Sequence, residues 1–163
     1  MIVDSHCHLL HQKNNSSIST LLKNAENNGV SKLLNISTKE DEFDKVINLS
    51  KKYDNIFCSL GIHPHESMSS SDSVFTQILE LSKFRKVIGI GETGLDFYYN
   101  HSNKKSQISS FEKHIEISQE TNLPLIIHMR ESEDETFRLI NKYYKKKEFK
   151  GLIHCFTGSS EIV

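Results

Sequence analysis

The sequence lacks a charge imbalance. Lys and Arg total 20 against 21 Asp and Glu, so 163 residues carry a formal net charge of -1. No whole-molecule field gathers nucleic acid, and any attraction for a phosphodiester has to be local. No apolar run approaches a membrane span, and no signal-peptide pattern precedes "IVDSHCH". There is no cysteine framework either: Cys7, Cys58 and Cys155 are scattered and form no C-x-x-C. That usage reads as reduced thiols packed as small hydrophobes, which predicts a cytoplasmic protein. No linker or strong low-complexity segment interrupts the chain, so one domain is expected over 1–163. The single cluster of one sign, "KYYKKKEFK" at Lys142–Lys150, reads as the wet end of a helix, where cations suit the dipole.

What the chain does have is an alternation. Short apolar, β-rich runs ("MIVDSHCH", "SKLLNIS", "NIFCSLGIH", "KVIGIGETG", "LPLIIHM", "KGLIHCF") are separated by stretches of helical period. Ile18, Leu21, Leu22 and Ala25 make one helical stripe, with Gly29 as its stop. Phe43, Val46, Ile47 and Ser50 make a second, with Thr38 as the expected N-cap. Val74, Phe75, Ile78 and Leu79 follow Asp72 and Ser73, and Ile108, Phe111 and Ile115 form a fourth stripe. Ser132 and Glu135 make an S-x-x-E capping box ahead of Phe137, Ile140 and Tyr144. Six strands alternating with five helices predict an α/β domain with parallel strands, either a doubly wound sheet or a (β/α)8 barrel. No G-x-G-x-x-G follows the first strand, which counts against a dinucleotide-binding sheet.

The strand ends carry the chemistry. His6 and His8 lie two apart and so share a face of an extended chain. The third run delivers His63 and His65, the fourth Glu92 and Asp96, the fifth His128 and the sixth His154. In a parallel barrel all these ends open on one rim, where active sites of that fold lie. Imidazoles with a carboxylate suit zinc, manganese or a similar divalent ion. Glu92 has two oxygens and could bridge two ions. Such a pair lowers the pKa of water from about 15.7 toward about 7 to 9, which is hydrolytic chemistry suited to a phosphodiester. Asp96 reads as a turn cap. Tyr98 and Tyr99 read as packing above the barrel, with base stacking as the alternative. His11, His101 and His114 belong to no motif and read as surface or packing residues.

"DSHCHL", "GIHPHE", "GETGLDFYY", "LIIHMRES" and "HCFTGS" resemble, in order, the signatures of the TatD-type metal-dependent deoxyribonucleases of the amidohydrolase-like TIM-barrel superfamily. The resemblance runs from Asp4 to Ser159 and implies a (β/α)8 barrel and a divalent-metal-dependent DNase acting on a 3′ end or single strand. It implies His6 and His8 as ligands of one ion, Glu92 as the bridging, catalytic carboxylate, and His128 and His154 as ligands of a second ion. Zn, Mg or Mn would be the ions. His63, His65 and Arg130 would lie at the substrate phosphate, although His65 could instead brace its loop and Arg130 could pair with Glu131 or Glu133. Family members also carry a late E-T-D-x-P stretch that this sequence does not contain, and a barrel usually takes about 250 residues. The chain therefore reads as a C-terminally truncated barrel holding about six of eight βα units. Its first and last strands are expected to be unpaired edges, open to association or to a complementary C-terminal fragment. Alternatives to a DNase are a catalytically impaired remnant or split-enzyme fragment, and a related hydrolase of small esters or amides.

Overall fold

The computed structural model describes residues 1–11, 17–99, 101–154 and 156. Strands and helices alternate through them: β1 (Ile2–Cys7), α1 (Ile18–Asn27), β2 (Val30–Ile36), α2 (Phe43–Lys52), β3 (Ile56–Leu60), α3 (Asp72–Leu81), β4 (Val87–Asp96), α4 (Lys104–Thr121), β5 (Leu125–Arg130), α5 (Glu133–Tyr144) and β6 (Gly151–His154). Two 3₁₀ turns, Glu40–Glu42 and Pro64–Ser69, were not predicted by the sequence pattern. All neighbouring strands pair in parallel, in the order β1-β2-β3-β4-β5-β6. A doubly wound sheet reverses its order at a switch point, whereas this one never does, which is the winding of a (β/α)8 barrel. The curl is strong enough for His6 of β1 and His154 of β6 to stack ring on ring, centroids 3.5 Å apart. No hydrogen-bonded ladder joins β1 to β6 among the described residues. Ile2, Val3 and Leu152 on those two strands are exposed.

Two apolar layers hold the sheet. The outer one packs α2, α3, α4 and α5 on the sheet through residues such as Phe43, Ile78, Phe111, Ile115 and Leu139, all fully buried. Each such side chain contributes about 2 to 3 kcal/mol by leaving water. The inner one is small: Leu34, Ile36 and Ile126, with Phe57 against them. Cys58 is buried in the outer layer and Cys7 is half-buried, while Cys155 lies outside the described residues. No helix among the described residues is long and apolar enough to cross a membrane.

Three local expectations need correcting. Thr38 does not cap α2. The 3₁₀ turn intervenes, Glu42 occupies the cap position, and Thr38 instead donates to the Glu42 carboxylate. Ser132 stands at the start of α5, but its hydroxyl donates to the Leu95 carbonyl and accepts no N–H of the first turn, and Glu135 pairs with Arg138, so no capping box forms. The buried stripe of α5 is Thr136, Leu139 and Tyr143, one position off the predicted one, and Tyr144 is exposed. Leu139 beside Ile140 and Tyr143 beside Tyr144 make two adjacent stripes of similar hydrophobicity, and the way the helix sits on β5 and α4 selects between them.

His114 ties α4 to the segment after β3. Its Nδ1–H donates to the Ser110 carbonyl at 2.7 Å, and its Nε2 accepts the Ile62 N–H at 3.0 Å. Both nitrogens are used, so the ring is neutral, and burial pushes it down from 6.5 to about 4. Between those values the unfolded chain binds the extra proton. The stability held by neutral His114 is therefore complete above about pH 6.5 and falls by roughly 3 kcal/mol as the pH drops toward 4. His114→Gln keeps an acceptor for Ile62 and does not titrate. Urea unfolding from about pH 7 to pH 4 should show a shallower loss of stability in that variant. An unchanged slope would refute the assignment.

Candidate metal centre

The rim is assembled from strand ends. His6 lies on β1, and His8 follows the end of that strand. Glu92 and Asp96 sit four residues apart on β4 and both reach His128. His128 lies opposite Gly94 on one side and His154 on the other, so β4, β5 and β6 present their side chains at one level. Gly91 and Gly94 flank Glu92 with φ of +136 and +132, which brings the β4 backbone against the β5 carbonyls. After β3 the chain turns at Pro64. His63 anchors there through its N–H to the Thr38 carbonyl at 2.8 Å, and its Nδ1 accepts the His65 N–H at 3.2 Å.

Glu92 is buried and divides its two oxygens between two sets of imidazoles. Oε2 lies 3.3 Å from His6 Nε2 and 3.6 Å from His8 Nε2, and those two nitrogens are 3.2 Å apart. Oε1 lies 3.1 Å from His128 Nδ1 and 4.0 Å from His63 Nε2. Four ligands at zinc-like bond lengths of about 2.0 to 2.1 Å stand about 3.3 to 3.4 Å from one another. The His6–His8–Glu92 triangle matches that spacing, so this donor set fits a divalent ion. A second group of three, His63, Glu92 and His128, meets on the other oxygen. His154 is placed against His6 by ring stacking and lines the same cavity as His8, His63, His65, Glu92 and His128, of about 370 Å³.

The protonation states suit cation binding. Burial raises the Glu92 carboxyl, but hydrogen bonds from His128 and His6 and the nearby His63 outweigh this and hold it well below the usual range. Burial pushes His8 and His154 down, and His63 down to about 3, so these rings are neutral. His128 is the exception. Burial lowers it, yet contacts with Glu92 and Asp96 on its two nitrogens leave it raised.

A family model described as TatD related DNase matches residues 3–163. The chain belongs to that family. Among curated relatives it is 34% identical over 166 residues to an uncharacterized metal-dependent hydrolase of Buchnera aphidicola, covering 96% of this chain and 62% of that protein. It is 32% identical over 133 residues to the 3'-5' ssDNA/RNA exonuclease TatD of Shigella flexneri, covering 82% of this chain and 51% of the relative. Among solved structures, the TatD homologue YjjV of Escherichia coli superposes with a TM-score of 0.89 at 25% identity, over 98% of this chain and 62% of that one. The chain thus spans about three fifths or less of the length of these relatives.

In this TatD-family rim Asp96 does more than the turn cap expected from sequence. Its Oδ1 accepts the Tyr98 and Tyr99 N–H groups at 3.1 and 2.9 Å, which is the cap. Its Oδ2 meets His65 Nε2 at 2.9 Å and His128 Nε2 at 3.0 Å. Burial raises the Asp96 carboxyl, and these bonds overcome it and lower it. The spacing to Glu92 was the available signal, since an even step on a strand keeps a side chain on the same face. Arg130 pairs with neither Glu131 nor Glu133 among the described residues. Its guanidinium lies over the rings of Tyr98 and Tyr99, 4.0 and 4.7 Å from their centroids.

Proposed function

We propose that this chain carries the metal-holding rim of a TatD-type hydrolase that cleaves phosphodiester bonds in DNA, working on a single strand or a 3′ end. The observation that carries the reading is Glu92, one buried carboxylate with each oxygen turned to a different set of imidazoles. His6, His8 and Glu92 Oε2 would hold one divalent ion. Glu92 Oε1, His128 and His154 would hold a second. Bound divalent ions supply Lewis acidity toward a phosphate oxygen and toward water.

The chain's own residues do the rest. Because the His63 ring accepts the His65 N–H at Nδ1, its neutral form carries the hydrogen at Nε2, which lies 3.3 Å from His128 Nδ1 at the cavity wall and would turn to a phosphate oxygen when one is bound. His65 and Arg130 stand on the same side and would complete the anion seat, Arg130 with the Tyr98 and Tyr99 rings behind it. Asp96 fixes the orientation of His65 and His128 together, a role that commonly tunes a metal site's affinity.

The test combines metal removal with a substrate panel. Chain stripped by chelator and dialysed should be inactive. Adding manganese, magnesium or zinc should restore cleavage of a labelled single-stranded oligonucleotide and of bis(p-nitrophenyl) phosphate, but not of p-nitrophenyl acetate. Cleavage that survives chelation, or activity confined to the acetate ester, would defeat the reading.

A further inference from the structure

Glu42 stands outside every signature stretch, yet it is among the most enclosed carboxylates in the molecule, its side chain 4% exposed. Burying a carboxyl group this deeply is costly without partners, and Glu42 has two, which make three hydrogen-bond contacts with it. Its Oε1 meets His11 Nε2 at 2.6 Å. Its Oε2 accepts the Thr38 N–H at 2.7 Å and the Thr38 hydroxyl at 3.1 Å. The two partners lead to opposite sides of the rim. The His11 ring lies parallel to that of His8, centroids 5.3 Å apart with an interplanar angle of 1°. The Thr38 carbonyl accepts the His63 N–H at 2.8 Å. One side chain therefore touches, at a single remove, both the His6–His8 side and the His63 side of the cavity.

We propose that Glu42 is a positioning residue that sets the spacing between His8 and the His63 turn, acting through His11 on one side and Thr38 on the other. The inference rests on the metal-site reading above for its consequence, not for its geometry. Without Glu42 the His11 ring loses the partner that holds it against His8, and Thr38 loses the acceptor that fixes the carbonyl gripping His63. The donor atoms then sample a wider range of separations, and an ion that needs them all at one spacing binds less tightly.

Cobalt(II) reports on this directly through its visible absorption, without any substrate. Glu42→Ala should weaken cobalt binding by about 10- to 100-fold and change the band shape. In the metal-free protein it should also move the His8 ring and His63 amide resonances together. Glu42→Gln keeps an oxygen for the Thr38 N–H and should recover affinity to within about threefold. His11→Ala, at a side chain 44% exposed, is the milder change for the fold and should show a smaller loss in the same direction. Ile78→Val, in the outer core, supplies a variant of reduced stability with an intact rim. Unchanged cobalt affinity in Glu42→Ala, or in His11→Ala should the former not fold, would overturn the proposal. So would a loss that Ile78→Val reproduces at equal melting temperature. A wild-type chain that binds no cobalt would defeat the metal reading instead. The His8 and His63 resonances of the metal-free variants then decide the positioning role alone: it stands where they move together and falls where they do not.

Discussion

Glu92→Gln is expected to lower kcat/KM for phosphodiester cleavage by at least about 10³-fold, the upper end of what the loss of one electrostatic group costs. The substitution keeps the shape of the side chain and removes what the rim uses. A carboxylate offers two equivalent oxygens, and here each faces its own set of imidazoles. An amide has one oxygen, and its nitrogen carries hydrogens that point where a cation would be. Bound metal should fall in parallel with activity, measured on the same dialysed sample. Because Glu92 is buried among histidines, the change also removes the one negative charge that His6, His8 and His128 face there. A Glu92→Gln variant within about tenfold of wild type in both activity and metal content would place the chemistry elsewhere.

Gly94→Ala is expected to destabilise the fold by about 4 kcal/mol or more. Gly94 takes φ +132, and a Cβ built there would lie 2.1 Å from the His128 carbonyl oxygen and 3.0 Å from its carbonyl carbon. The obstructing atoms are backbone, in the ladder that pairs Gly94 with His128, so no side chain can swing aside. β4 and β5 would have to part at the level where Glu92 and His128 meet. Gly29→Ala is the contrast. It also has positive φ, +81, but its Cβ would meet only Ile2 Cδ1 at 4.0 Å. That substitution should cost about 1 kcal/mol from backbone strain alone. Urea midpoints of the two variants, compared at a common m-value, measure the difference. Equal midpoints would show that β4 and β5 are not locked as described.

Much of this was legible in the chain before folding. The parallel strands and their crossover helices followed from apolar runs alternating with helical stripes, because a parallel strand needs a crossover, but the choice between a doubly wound sheet and a barrel did not follow from that alternation. The rim followed from where polar side chains broke those runs: His6 and His8, Glu92, His128 and His154 each close an apolar stretch. Periodicity could not say which atoms meet across the cavity. His63 and His154 look alike as strand-end histidines, yet one reaches toward Glu92 while the other stacks on His6. That difference depends on the turn at Pro64 and on the curl of the sheet, neither of which has a local signature. Glu42 was illegible for a related reason. It lies in a polar stretch, "STKEDEF", that reads as solvated surface, and only its tertiary partners make it an interior group. Ser132 shows the reverse error, where a local motif was present and a longer-range acceptor, the Leu95 carbonyl, took the hydroxyl.

The strict neighbour-to-neighbour order of the strands has a consequence for assembly. Each strand pairs only with its neighbours in the sequence. The mouth of the sheet acquires a working set of donors only when β1 and β4 belong to the same curled surface. An ion held by His6, His8 and Glu92, as proposed above, would then act as a clasp between distant stretches of polypeptide. It has no comparable partner in the unravelled chain, so at a free concentration about 100 times its dissociation constant it would add about 2.7 kcal/mol to the folded state. With such an ion in place, metal supply and structural integrity would be a single variable for this molecule.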